Sequence, residues 1–427
     1  MVTCETSPSC ATADVLGSLT YTRQNVEQHF PKLWPAVEAG LSTCATLLLA
    51  DNVNPVALIY VGPASAGKTT VASMFEEATV NGKLLCYRSD KFTPAAFVSQ
   101  SAKATKKELE QVDLLPRIKD KVLLTPELST IFRGKPDELA ERFSIITRVL
   151  DGQGLTTDSG THGQRGYSGP HLFAWLGCTT PFNDAVWKIM AQLGSRLFFL
   201  MLDAVAEPTV HDLVCSFHQP VPYSESLKQC RGAVHKFLAQ LFTQSCGVRG
   251  MHWKAGENRP EVLEMIARCA KLLAVMRTPY EHGIKAQPES PHRANAVLYN
   301  LARGRALVYG RISLRKDDLP MIARITLSSV TAERRALLLA FVKNAGGPLA
   351  VKQVVEATGV ARHTAERRME EMAWLGIAVY EKRGNGLESL LTLKPECAWI
   401  AQGEFAALLQ EGATWQESGV EYGGARS

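Results

Sequence analysis

Short apolar runs separated by amphipathic stretches organise the first half of the chain. Val56–Val61 is the clearest, six apolar residues with valine at both ends, and comparable runs follow at 83–88, 121–125, 173–179 and 197–203. Strands of this length alternating with helical patterns predict a parallel sheet covered on both faces. Ahead of the first run, residues 21–49 place Phe30, Leu33, Trp34, Val37 and Leu41 at three- and four-residue steps, which predicts helix. Residues 1–20 are small, polar and aperiodic and read as a loosely held arm. After Asp203 the strand pattern stops, and 224–244, 259–277 and 291–308 read as helices. The chain thus divides into an arm and helical preface at 1–53, an α/β core at 54–205, a helical region at 206–330, a compact block at 331–395 and a tail at 396–427. The end of that tail, from Gln410, is expected to fray.

Candidate chemistry gathers where Val56–Val61 ends. Gly62, Pro63, Ala64, Ser65, Ala66, Gly67, Lys68, Thr69 and Thr70 make a glycine-framed loop that opens a helix, the pattern of a Walker A motif. Gly62 and Gly67 let the backbone turn its amides inward, so that they and the helix N-terminus surround the β- and γ-phosphates of ATP. Lys68 supplies a point charge to those phosphates, and the Thr69 hydroxyl is placed to bind Mg²⁺. The helix carries Val71, Met74 and Phe75 on one face, and Asn81-Gly82 reads as a stop.

Hydrolysis needs more than a phosphate cradle: an acid must orient water, and a cation must stabilise charge in the transition state. The run 121–125 ends in Pro126-Glu127, which nominates Glu127 as the water-polarising carboxylate. Pro126 stands where a magnesium-binding aspartate is normally delivered, so the metal must lean on Thr69, water or Glu127. The next run ends at Thr179, a hydroxyl within reach of the γ-phosphate or the attacking water. Gly194-Ser195-Arg196 then follows a helical stretch, which makes Arg196 either an arginine finger for a neighbouring subunit or an exposed surface cation.

Walker A, a Walker B-like strand, a threonine-bearing sensor strand, a Gly-Ser-Arg finger and a helical lid together resemble the AAA+ ATPases. The resemblance implies an α/β fold, a P-loop NTPase parallel sheet with helical lid, and a ring or open oligomer that shares its sites between subunits. The lid segment Ser290-Pro-His-Arg293 resembles that of minichromosome-maintenance helicases and their mobile-element relatives. On that resemblance Arg293 is a sensor-2 arginine touching the γ-phosphate.

Two further segments bear on DNA. Residues 151–169 hold six glycines and predict a hairpin-like excursion, which resembles the pore hairpin of helicase members of this family. His162, Arg165 and Tyr167 would then meet phosphates or stack on bases. A turn that braces a neighbouring subunit is the competing reading. The block 331–393 resembles a C-terminal winged-helix domain, with helices at 333–342, 351–357 and 361–375 and strands at 377–381 and 389–393. Its third helix turns Ala365, Met369, Met372 and Leu375 inward and Arg362, His363, Thr364, Arg367 and Arg368 outward, toward a DNA groove, while Lys382 and Arg383 approach phosphates. Winged helices also serve as protein-contact modules, and that reading stays open.

Composition changes little. The 427 residues are 46% hydrophobic with a formal net charge of +5, which permits an anionic partner without requiring one. No apolar run reaches the roughly 20 residues of a membrane helix, no signal peptide is evident, and ten scattered cysteines suit a reducing cytoplasm. His211, Cys215, His218, Cys230 and His235 lack the paired spacing of a zinc site. The sequence therefore suggests a cytoplasmic ATPase with DNA and its own copies as partners. A nucleotide-dependent signalling switch and a slow ATPase that regulates transcription are the alternatives.

Overall fold

The computed structural model describes residues 8–99, 106–159, 163–194, 196–202, 210, 214, 221–280, 286–383 and 387–415. The chain forms two compact units. The first comprises Met1–Arg259 with Ala296–Arg315, the second Pro260–Asn295 with Lys316–Ser427.

A five-stranded sheet centres the first unit. In chain order its strands are β1 (Val56–Val61), β4 (Cys86–Arg88), β5 (Val122–Thr125), β8 (Ala174–Thr179) and β9 (Leu197–Met201), all parallel and ordered β4-β5-β8-β1-β9. Every residue of β1, β5 and β8 is buried, which is why these strands read as continuous rather than alternating apolar runs. Ala57, Ile59, Val61, Trp175 and Phe199 face a cluster built by helices α5 (Leu114–Ile118), α6 (Pro136–Val149) and α7 (Asp184–Gln192). On the other face the Tyr60 hydroxyl donates to the Ala36 carbonyl at 2.9 Å, in α2 (Trp34–Ala45), beside α3 (Lys68–Phe75).

Three boundaries differ from the sequence reading. From Pro8 onward the stretch read as an arm is helix, residues 1–7 lying outside the described residues: α1 runs Pro8–His29, with Val15, Leu19, Thr22 and Val26 buried along one stripe. It packs on α8 (Tyr223–Gln244), where the Thr22 hydroxyl donates to the Ala233 carbonyl at 3.2 Å. A threonine in the stripe hid the periodicity. The run 83–88 splits, because β3 (Lys83–Leu84) folds back on β2 (Thr79–Val80) before β4 joins the sheet; Leu85 and Cys86 both donate to the Ala78 carbonyl. The tail does not fray at Gln410: α15 (Gly403–Thr414) buries Phe405, Leu408, Leu409 and Gly412. Residues 416–427 lie outside the described residues.

The glycine-rich stretch is an antiparallel hairpin of β6 (Gly154–Ser159) and β7 (Gly163–Ser168). Side chains at Gly154 and Gly166 would place a Cβ 2.1 Å from the opposing Tyr167 and Leu155 carbonyl oxygens, so only glycine fits.

Helix α10 (His292–Val308) passes from the second unit into the first. Within the first unit its buried Arg305 pairs with Glu38 at 2.8 Å, and Arg303 grips both Asp51 oxygens at 2.8 and 2.7 Å. Gly304 sits where a Cβ would meet the Ser42 carbonyl oxygen at 2.1 Å. We expect Gly304→Ala to prise α10 from α2 and to cost about 1–3 kcal/mol, read as a lower urea midpoint.

In the second unit α9 (Pro260–Met276), the wholly buried α11 (Leu319–Ser328) and α15 accompany a smaller assembly. That assembly is α12 (Ala332–Lys343), α13 (Val351–Thr358) and α14 (Arg362–Trp374) with a three-stranded antiparallel sheet. Its strands β10 (Leu349–Ala350), β11 (Ala378–Glu381) and β12 (Leu390–Leu393) take the order β10-β12-β11. Among the described residues no helix is long and apolar enough to cross a membrane.

Candidate active site

β1 is the point where the sheet reverses its winding. The chain leaves β1 for the far edge, returns through β4, β5 and β8, then crosses to β9 on the other side. In an open parallel sheet a ligand crevice forms at such a switch point, beyond the carboxyl ends of the strands. The loop 62–67 occupies that place.

Its backbone is shaped for an anion. Ser65 (φ 66°) and Gly67 (φ 82°) adopt left-handed conformations, the backbone from which anion-binding concavities are built, and between them the Ala66 amide donates to the Pro63 carbonyl at 3.4 Å. Gly67 is also crowded, since a Cβ there would lie 2.6 Å from Leu33 Cδ2, and one at Gly62 would lie 2.9 Å from the Leu202 carbonyl oxygen. Pro63, Ala64 and Ser65 are exposed, Ala66 is buried, and Gly67 caps α3. Lys68 is buried, and its Nζ donates to the Gly62 carbonyl at 2.8 Å and the Pro63 carbonyl at 2.5 Å. Burial lowers its pKa below the usual lysine value, with Cys178 and Glu127 partly opposing. An anion arriving at the loop would take over the ammonium now held by two carbonyls.

Three strand ends converge on this lysine. Val61 pairs with Thr179 across β1 and β8, and Thr125 pairs with Gly177 across β5 and β8. Glu127, two residues past β5, therefore lies level with Thr179. Glu127 is exposed and accepts from the Ser129 amide at 2.7 Å, which orients the carboxylate. The Trp175 indole donates to the Thr125 hydroxyl at 3.2 Å and locks the end of β5 to β8. Thr179 is buried and its hydroxyl donates to the Thr180 carbonyl at 3.0 Å. Thr69 is exposed at the first turn of α3, as a metal-binding hydroxyl must be. The cradle, the lysine and the exposed threonine fit a nucleotide polyphosphate with Mg²⁺.

Sequence reasoning missed Cys178. Its thiol is buried and donates to the Lys68 carbonyl at 3.4 Å; burial pushes its pKa up to about 12, Lys68 pulling it down and Glu127 adding to the rise. Its place in an apolar run made it look like core alone.

Arg196 stands apart from this group. It immediately precedes β9, at the opposite end of the sheet, and the five residues of that strand span about 17 Å. Its guanidinium donates to Asp151 at 3.3 Å, to the Leu193 carbonyl at 3.3 Å and to the Gly194 carbonyl. Arg293 is the second residue of α10, in the part of that helix that belongs to the second unit.

The hairpin residues are partly committed. The Tyr167 hydroxyl donates to Asp113 at 2.8 Å, which fixes the half-buried ring to the segment ahead of α5. Arg165 pairs opposite Thr157 and is half-buried; His162 lies outside the described residues. Of the zinc-spacing residues, His211, Cys215 and His218 lie outside them as well; the buried Cys230 thiol donates to the Asn25 carbonyl.

The basic residues of α14 divide in two. His363 and Arg367 are exposed, as are Lys382 and Arg383, and Thr364 is half-buried. Arg362 pairs with Glu366 at 3.4 Å and Arg383 with Glu381. Arg368 does not project outward: its guanidinium turns in to Glu371 at 2.9 Å and Glu333 at 3.6 Å.

No family model and no curated protein matches the chain. A solved structure, the A-form apo structure of the NrS-1 C-terminal region, is similar at 10% identity over 88% of this chain and 76% of that one. Its TM-score is 0.26, and no common topology follows from it.

Proposed function

We propose that the chain is an AAA+-type P-loop ATPase that hydrolyses ATP at subunit interfaces and engages DNA, as a helicase or DNA-remodelling motor. The observation that carries this reading is the placement of β8 between β1 and β5, which sets the loop 62–67, Thr179 and Glu127 side by side at the carboxyl ends of the strands. On this reading Lys68 holds the β- and γ-phosphates. Glu127 orients a water whose oxygen bonds to the γ-phosphorus as the bond to the departing ADP oxygen breaks. Thr179 braces that end of the crevice. Thr69 and Glu127 are the residues that would hold Mg²⁺, which supplies charge neutralisation to the phosphates.

Arg196 faces away from its own loop, so a catalytic role requires a neighbouring copy, with the Asp151 contact exchanged for phosphate. The helices α12–α14 with their three strands suit a winged helix. Arg367, His363 and Lys382 would meet phosphates, while the acidic partners of Arg362, Arg368 and Arg383 keep affinity modest and salt-dependent. The contacts of Arg196 within its own chain favour a second reading, the nucleotide-dependent switch, in which the arginine is structural.

The test is ATP hydrolysis with and without single-stranded and duplex DNA, on the wild type, on Arg196→Ala, and on Arg196→Ala mixed with Lys68→Ala. Stimulation by DNA and partial recovery in the mixture are the expected results. Hydrolysis indifferent to DNA, with no recovery, would sink the motor and leave the switch. On duplex DNA, Arg367→Ala should weaken binding evenly across sequences and reduce the salt slope by about 1.

A further inference from the structure

We propose that Phe30 and Tyr223 form a platform on which the base of a purine nucleoside triphosphate stacks; the platform presupposes that the loop holds phosphate. Lys68 and Glu127 mark the terminal-phosphate end of the crevice, so the nucleoside of a bound triphosphate leaves past the first turn of α3, on the Thr70 side. There the Thr70 hydroxyl shares a 2.9 Å hydrogen bond with the hydroxyl of Tyr223, which comes from 153 residues away. Tyr223 is 56% exposed, and the half-buried Phe30 meets it edge-on, ring centroids 5.7 Å apart at 77°. Phe30 is held by the turn between α1 and α2, where its amide donates to Val26 and its carbonyl accepts from Leu33 at 2.9 Å. Leu33 in turn packs on Gly67 of the loop itself.

Neither ring belongs to the core, yet both are anchored to the phosphate loop, Tyr223 through Thr70 and Phe30 through Leu33. Exposed aromatic faces fixed in this way offer a base a stacking surface at little ordering cost. A two-ring purine covers such a surface better than a pyrimidine. Stacking alone does not separate adenine from guanine, so ATP and GTP should bind alike and CTP more weakly.

The experiment is titration calorimetry of the full chain in Mg²⁺ buffer with ATP, GTP, CTP and inorganic tripolyphosphate, for the wild type, Tyr223→Ala, Tyr223→Phe and Phe30→Ala. We expect Tyr223→Ala and Phe30→Ala to lower the ratio of ATP to tripolyphosphate affinity about five- to tenfold, and Tyr223→Phe, which keeps the ring and loses only the Thr70 anchor, to lower it less than twofold. An unchanged ratio in both alanine variants overturns the platform. So does a parallel loss of ATP and tripolyphosphate, which would mean that Tyr223 only supports the loop through Thr70. Wild-type protein that binds tripolyphosphate as tightly as ATP also overturns it while leaving the phosphate loop standing. Wild-type protein that binds neither overturns the loop and the platform together.

Discussion

Lys68→Ala should lower ATP hydrolysis by at least about 10²–10³-fold, the loss typical of removing one preorganised group from a developing charge. Lys68 is buried and its ammonium already sits among loop carbonyls, so binding phosphate needs a short change of partners rather than the ordering of a long side chain. Removing it should leave the fold intact, because the Gly62 and Pro63 carbonyls it satisfies lie in a loop with exposed neighbours where water can replace it. Phosphate release and calorimetry with MgATP measure the effect, with a thermal melt as the check on folding. A variant that still binds MgATP as wild type does would remove the basis of the nucleotide reading.

The same lysine sets a pH dependence. Burial lowers its pKa from 10.5, so the free site loses its positive charge at a lower pH than a solvent lysine would. Nucleotide affinity should therefore fall as pH rises toward 10.5, and the fall should vanish in Lys68→Ala.

The largest expected effect on stability lies in the second unit, at Glu371. Its carboxylate, 8% exposed, accepts from Arg334 at 2.9 Å and from Arg368 at 2.9 Å, and Arg334 also donates to the Met276 and Thr278 carbonyls at 2.6 and 2.8 Å. One carboxylate thus ties α14 to α12, and through Arg334 to the end of α9. Glu371→Leu strands the Arg334 guanidinium among buried groups, and breaking a buried pair from one side costs about 3–5 kcal/mol. The double variant Glu371→Leu, Arg334→Met removes both charges and should recover most of that loss. Urea unfolding of the full chain followed by circular dichroism reads both, and equal midpoints for wild type and Glu371→Leu would show that the carboxylate holds nothing together.

These cases show how far the sequence reaches. The strand, loop and helix at 56–75 are legible because they are local: glycine positions, a preceding apolar strand and a following helix lie within about twenty residues, and their spacing dictates backbone shape. The hairpin at 154–168 is legible for the same reason, since glycines at 154 and 166 are steric requirements of the pairing itself. The parallel sheet follows from fully apolar strands alternating with helices.

What could not be read was which side chains meet. Arg367 and Arg368 are neighbours of equal charge on one helix, yet one is exposed and the other turns in to Glu371 and Glu333. Tyr167 is tied by its hydroxyl to Asp113, 54 positions earlier, a contact that no local pattern announces. Thr22 disguised the buried stripe of α1, because a threonine whose hydroxyl finds the Ala233 carbonyl can lie where an apolar residue would. By itself, then, the sequence determined the loop, the hairpin and the α/β layering, all products of backbone conformation and short-range hydrophobic period. Only the tertiary structure decided the order of strands that gathers Lys68, Thr179 and Glu127, the aromatic pair beside Thr70, and the arginines withdrawn into ion pairs, because these depend on packing between segments far apart in the chain.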